Sequence, residues 1–378
     1  MQLPEKGTNR EPESGVVTSH LPEHGANPRR VYEKLGMEAP AELIDFSENC
    51  NPSGPPAAVL ELWPKLISRL NGYPDPSGEP FLSVAANYHG IEVSSVIAGN
   101  GAAELLSLIA ERYRGKRAIV VHPTFSEYET TLQAKGVEIV RLIASEEDGF
   151  KLPQEAILDS LPSASAIYLC TPNNPTGILP ERADLLSIIH KAGEVGCEVV
   201  LDEAFIDFID EGKSFIPQVK EFPHVIVVRS MTKMYAIPGI RLGYAVAHPD
   251  VIASLKSQVP HWNVNGMAAA IGAVCLEQEA YREAAIRHAK EEREKMTVFL
   301  KQHGCIVIDS VANFLSFKPL NAGKLYTDML KQGIVLRHSE NFHGMDGHYL
   351  RIGMKSSEEM EKLRGKLVEW FENELDRA

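Results

Sequence analysis

The chain has 378 residues, and 38 Lys and Arg against 51 Asp and Glu leave a net charge of −13. Such acidity excludes a nucleic-acid surface, while 44% hydrophobic and 24% charged residues exclude disorder and collagen-like architectures. No apolar run approaches the ~18 residues of a membrane span, since runs such as residues 197–201 and 225–228 are soon cut by a charge or proline.

In chain order, residues 1–19 are polar, lack a secretory h-region, and read as a mobile tail. Short β-branched runs then alternate with amphipathic stretches, the pattern of a mostly parallel sheet covered by helices. Strands are predicted at residues 95–98, 117–121, 138–142, 166–170, 198–201, 225–229 and 242–247, with helices at 103–113 and 181–195 between them. After Gly266 the texture changes. A long charged helix over 281–303, strands at 312–317 and 334–337, and a closing helix from 356 to 375 predict a separate α+β domain. Cys50, Cys170, Cys197, Cys275 and Cys305 show no C-x-x-C spacing, so free thiols in a reducing cytoplasm are expected.

Four segments carry chemistry. Ser230-Met231-Thr232-Lys233 opens a loop, rich in Gly and Pro and running to Arg241-Leu242-Gly243, between two predicted central strands. Ligands of open α/β sheets bind at such strand ends. A lone lysine there is usually solvated. Flanking hydroxyls and Arg241 suit a phosphate, and a lysine of depressed pKa can form a Schiff base with a carbonyl cofactor. Thr171-Pro172-Asn173-Asn174-Pro175-Thr176-Gly177 follows an apolar strand and by itself reads as a turn. Asp202, at the end of another apolar strand, needs a cationic partner if buried. Gly99-Asn100-Gly101-Ala102 opens a helix whose free N–H groups suit a phosphate.

Taken in this order, the four segments resemble the pyridoxal-phosphate enzymes of aminotransferase fold type I, from about residue 20 to the end. The resemblance implies an α/β fold with a mostly parallel seven-stranded sheet in the large domain and a smaller α+β domain. It divides the chain into the tail (1–19), an N-terminal arm with part of the small domain (20–55), the cofactor domain (56–265) and the C-terminal small domain (266–378). It makes Lys233 the Schiff-base lysine of pyridoxal 5'-phosphate, Asp202 the partner of the ring nitrogen and Asn174 the donor to the phenolic oxygen. Gly101, Ala102, Ser230 and Arg241 become the phosphate cradle, Phe125 the aromatic stacked on the ring, and Tyr73 a residue reaching the neighbouring subunit's cofactor. A homodimer with shared active sites follows from the last assignment. The chain departs from the family pattern at Phe205, where a tyrosine is common, and at Ala102-Ala103, which leaves the cradle to backbone N–H groups.

Within that fold, His24-Gly25-Ala26-Asn27-Pro28, residues 44–56 and Trp262-Asn263-Val264-Asn265 resemble the threonine-phosphate decarboxylases of cobalamin biosynthesis. The histidinol-phosphate aminotransferases are the near alternative. The resemblance implies a small phosphorylated amino-acid substrate, with Arg351 on the α-carboxylate and Arg337, His24, Asn27 and Asn174 at the rest of the substrate site. Arg337 and Arg351 each interrupt an apolar run, where only an ion pair or a bound anion makes burial tolerable. His338, His343 and His348 stand nearby without a carboxylate or cysteine at ligand spacing, so no metal is expected. A dinucleotide-binding dehydrogenase is disfavoured, because no G-x-G-x-x-G follows a first strand.

Overall fold

The computed structural model describes residues 21–375; the tail expected over residues 1–19 lies outside the described residues. The strands in chain order are β1 (Ile44–Asp45), β2 (Val96–Gly99), β3 (Arg117–His122), β4 (Glu138–Ile143), β5 (Ala166–Cys170), β6 (Glu198–Asp202) and β7 (Val225–Ser230). They continue with β8 (Gly243–Val246), β9 (Ile306–Val307), β10 (Phe314–Lys318), β11 (Ile334–Val335), β12 (Arg337–His338) and β13 (Leu350–Gly353).

Seven strands form one sheet in the order β2-β8-β7-β6-β5-β3-β4. Strands β7, β6, β5, β3 and β4 are parallel, and β8 is antiparallel to both β7 and β2. Successive side chains of a strand leave on opposite faces, so the apolar runs feed two cores. Ile119, Ile167, Leu169, Val199 and Leu201 pack with Leu185, Ile188 and Ile189 of the helix Arg182–Val195. Their neighbours Ala118, Val120, Tyr168 and Val200 pack with Leu105, Leu106 and Ile109 of the helix Ala102–Glu111. Burial on both faces explains why β5 and β7 read as continuous apolar runs rather than alternating ones.

A four-stranded antiparallel sheet, β12-β13-β10-β9, and a parallel pair, β1 with β11, support a further core of Val31, Tyr32, Phe46, Met296, Leu300, Phe317 and Leu363. The strand expected over 334–337 is two strands in two sheets, with Leu336 at the crossing. An apolar run carries a period but not the identity of its pairing partner. The strand expected from residue 312 starts at Phe314. Ala312 C=O instead accepts from Arg293 Nη1 at 2.7 Å, and Asn313 Nδ2 donates to Asn49 C=O at 2.7 Å.

The helix Gly266–Leu276, opened by the Asn265 side chain accepting from Ala268 N–H at 2.8 Å, packs in the same core as Phe81 and Leu201. The apolar cores change over later than residue 266, inside the helix Glu279–Gln302. Its Ala285 and Ala289 belong to one core, and Met296 and Leu300 to the other. No helix among the described residues is long and apolar enough to cross a membrane.

Candidate active site

The carboxyl ends of β5, β6 and β7 open on one edge of the sheet, where they deliver Asn174, Asp202 and Lys233 to a cavity of about 290 Å³. Ala102, Phe125, Ser230, Phe205 and Arg241 line the same cavity, and Ser47 to Cys50, Arg337 and Arg351 close it from the other side.

Alternation along the strands sorts the polar groups at this edge. Asp202 and Ser230 face the cavity, while their neighbours Glu203 and Arg229 are buried behind it. Arg229 donates to Glu203 at 3.1 Å, to Asp207 at 2.6 Å and to Glu211 at 2.9 Å, a charged anchor beneath the lysine loop. Above it, Asn51 N–H donates to Lys233 C=O at 2.9 Å and Asn51 Nδ2 to Met234 C=O at 3.1 Å. Burial holds the Lys233 ammonium below the usual lysine range; Cys50 opposes that shift, and the Arg351 and Arg241 charges add to it.

Asp202 Oδ1 accepts from Ala204 N–H at 2.9 Å and Oδ2 from Tyr128 Oη at 2.7 Å. Burial raises the carboxyl's pKa, and these two donors together with Lys233 pull it back. No cation pairs directly with Asp202 among the described residues. A carboxylate held by neutral donors alone suits a protonated ring nitrogen as its cationic partner. Tyr128 was not singled out by sequence; its signal was the spacing of three from Phe125, which places both on one side of a helix start, with rings 5.8 Å apart.

The helix Ala102–Glu111 has no side-chain cap, so the N–H groups of its first turn remain for a ligand at the cavity wall. Gly101 precedes it at φ 86°, and a Cβ there would lie 2.5 Å from Arg241 Nη2. Glycine is therefore required for the guanidinium to reach the helix start. Ser230 Oγ lies 2.8 Å from Thr232 Oγ1, bringing two hydroxyls to the same cavity. This donor set suits a phosphate, and with Lys233 and Asp202 it fits a phosphorylated pyridine aldehyde.

Arg337 and Arg351 stand opposite each other in the register of β12 and β13, and both are buried. Like charges directly opposite on neighbouring strands repel. Arg351 donates to Asn174 Oδ1 and, at 2.7 Å, to Ser47 C=O, while its Nε has no partner among the described residues. Arg337 donates to His338 C=O at 2.9 Å, to Asn341 Oδ1 at 2.6 Å and to Glu23 C=O. Neither makes an ion pair with a carboxylate among the described residues. Burial pushes the Arg351 guanidinium down to about 9, with Arg337 adding to the shift, and burial pushes Arg337 down to about 10.

His24 lines the cavity, but Asn27 does not. Asn27 is exposed at the start of the helix Pro28–Leu35, where its C=O accepts from Arg30 N–H at 3.1 Å. Tyr73 is 86% exposed, away from this chain's cavity, with its ring 5.0 Å from Trp262. Asn263 of the Trp262 to Asn265 motif holds a helix start instead of lining the cavity, donating to Glu104 Oε2 at 2.8 Å. Of the three histidines near the arginines, His338 donates its Nε2–H to Pro22 C=O at 2.9 Å, and His343 packs on His122 with ring centres 4.9 Å apart.

The sequence profile described as aminotransferase class I and II matches residues 41–367. The chain is 37% identical to the threonine-phosphate decarboxylase of Salmonella typhimurium, over 91% of this chain and 95% of that protein. It is 30% identical to the adenosylcobalamin biosynthesis bifunctional protein CobDQ of Leptospira interrogans, over 91% of this chain and 40% of that protein. Among solved structures, the histidinol-phosphate aminotransferase from Clostridium acetobutylicum superimposes with a TM-score of 0.83 at 29% identity, covering 88% of this chain and all of that one.

Proposed function

The chain belongs to the aminotransferase class I and II family, and from that membership we propose that it decarboxylates L-threonine O-3-phosphate to (R)-1-amino-2-propanol O-2-phosphate and CO₂ for cobalamin biosynthesis. The observation that carries this reading is the pair Arg337 and Arg351, two buried cations with no carboxylate partner among the described residues, side by side in one cavity. A short substrate with a carboxylate at one end and a phosphate at the other supplies both missing anions.

In this reading pyridoxal 5'-phosphate, when bound, supplies an electron sink for the bond broken at Cα. Lys233 would attach it, Asp202 would partner its ring nitrogen, Phe125 would stack on its ring, and Arg241, Ser230 and the N–H groups of Ala102 and its neighbours would hold its phosphate. Asn174 Oδ1 is engaged by Arg351, which leaves the amide nitrogen as the donor for the phenolic oxygen. Arg351 holds the substrate carboxylate, and Arg337 with His24 holds the substrate phosphate. Fixing two ends of a short molecule sets its torsion about Cα, and that torsion selects which bond breaks. Lys233, with its lowered pKa, can return a proton to Cα after CO₂ has left.

A homodimer and a cytoplasmic setting belong to the same proposal. Leu60, Trp63, Ile67 and Leu70, spaced three and four residues apart just before Tyr73, are all exposed, an apolar face of the kind that a partner subunit covers, and five free cysteines suit a reducing compartment. Sedimentation of Ile67→Asp should then give monomers where the unaltered protein gives dimers; equal mass for the two would remove this face from the interface.

The function is tested by incubating the protein with phosphothreonine and no keto acid. CO₂ release is expected. Silence on phosphothreonine, together with amino-group exchange between histidinol phosphate and 2-oxoglutarate, would establish the aminotransferase reading in its place.

A further inference from the structure

Residues 22–27 cross the mouth of the cavity as a strap. On the small-sheet side, Pro22 C=O meets His338 Nε2 at 2.9 Å, and Glu23 C=O accepts from Arg337 and, at 3.0 Å, from Asn341 Nδ2. In its middle, Ala26 N–H donates to Ser47 Oγ at 3.1 Å, and a Cβ on Gly25 would lie 2.4 Å from Ser47 C=O. The strap therefore lies flat on Ser47, and only glycine permits it.

Toward the large sheet the strap has a different tie. His24 Nε2 stands 3.5 Å from Glu127 Oε2, and the imidazole ring lies 5.7 Å from Phe125. Glu127 is the first residue of the helix Glu127–Ala134, where the helix dipole favours a negative charge. His24 also holds its carboxyl below the usual range. The neighbouring Glu129 is taken by Arg141 and His122, so it does not compete for His24. A carboxylate on one ring nitrogen of a histidine fixes what the other nitrogen can do.

We infer that Glu127 is a positioning residue for the phosphate end of the substrate, acting through His24. Its carboxylate holds Nε2, and the ring so held offers Nδ1 to an anion between the strap and Arg337. With a carboxylate at one nitrogen and a phosphate at the other, both nitrogens donate. The inference rests on the phosphorylated substrate proposed above, and it adds a residue that the sequence motifs did not contain.

Two variants and one cycle test it on the holoenzyme. Glu127→Gln keeps the side chain's size and removes its charge. It should lower kcat/KM for phosphothreonine relative to threonine by about tenfold, mainly through KM, as loss of one charge-assisted contact does. Calorimetry should show inorganic phosphate bound more weakly by a similar factor, with the cofactor's visible absorption unchanged. Glu127→Asp should recover part of the loss. In a double-mutant cycle, Glu127→Gln should add little once His24→Ala is present. Equal losses on threonine and phosphothreonine, or additive effects in the cycle, would overturn the inference. If the unaltered protein ignores phosphothreonine but Glu127→Gln still weakens phosphate binding through His24, the decarboxylase reading falls and this one stands.

Discussion

Tyr128, on the helix that follows β3, donates its hydroxyl hydrogen to Asp202 at the end of β6 across 2.7 Å of protein interior. With Ala204 N–H on the other oxygen, both carboxylate oxygens are satisfied without a cation. Burial favours the neutral acid and these donors favour the anion, so the pair decides the charge presented to a ring nitrogen.

Tyr128→Phe removes one of the two donors and should raise the Asp202 pKa further. Cofactor affinity is expected to fall about 10- to 100-fold, the scale of one hydrogen bond to a charged group. An absorption titration with added cofactor measures it. Undiminished affinity would show that Tyr128 has no part in setting the aspartate's charge.

Gly101→Ala places a methyl 2.5 Å from the Arg241 guanidinium at a backbone φ of 86°. The arginine must withdraw, and cofactor affinity should drop at least tenfold at a stability cost of about 1 kcal/mol. Adding Arg241→Ala to Gly101→Ala should then cost little more. If the two losses instead multiply, the glycine serves something other than the arginine's approach.

Phe205 is buried with its ring 4.9 Å from Phe314 and offers no hydrogen to a phenolic oxygen. Phe205→Tyr should lower the pKa read from the visible absorption of the bound cofactor, since an added donor favours the deprotonated form. A value that stays put or rises would mean that another group already serves that oxygen.

His338 is buried and the His89 side chain is 3% exposed, and burial pushes each from the ordinary 6.5 down to about 3, with Arg229 adding to the shift at His89 and Arg337 at His338. Between those values the unfolded chain holds protons that the folded chain refuses. Stability therefore falls as the pH drops from about 6.5 toward 3, by up to about 1.4 kcal/mol per pH unit for each histidine. His338→Gln, whose amide can still donate to Pro22 C=O, should flatten that slope by about one proton in urea unfolding between roughly pH 4 and 6. A slope identical to that of the unaltered protein would mean that His338 is already protonated in the fold.

The sheet was legible in the sequence because its strands are local objects. Residues 166–170 and 198–201 announce burial by composition alone, and the polar group that follows each run sits where such sheets place ligands. What sequence could not supply was pairing at a distance. Leu336 looks like the middle of one strand, yet the chain there leaves β1 for β13. Asn27 shares a motif with His24, but the helix beginning at Pro28 holds it outside the cavity. The spacing of Tyr128 from Phe125 puts the two on one side of a helix start, but its partner Asp202, and the His24 that faces Glu127, come from distant stretches of chain that local spacing does not reach.

The helix Glu279–Gln302 runs unbroken for 24 residues, with early turns in one apolar core and late turns in the other. Heat that loosens either core strips half of this helix of its packing, and a half-length helix left alone in water is marginal. The loss passes along the helix backbone to whichever core is still intact. Two cores assembled from distant stretches of chain are thereby tied to a common melting event, and the cavity between them survives or disappears with both.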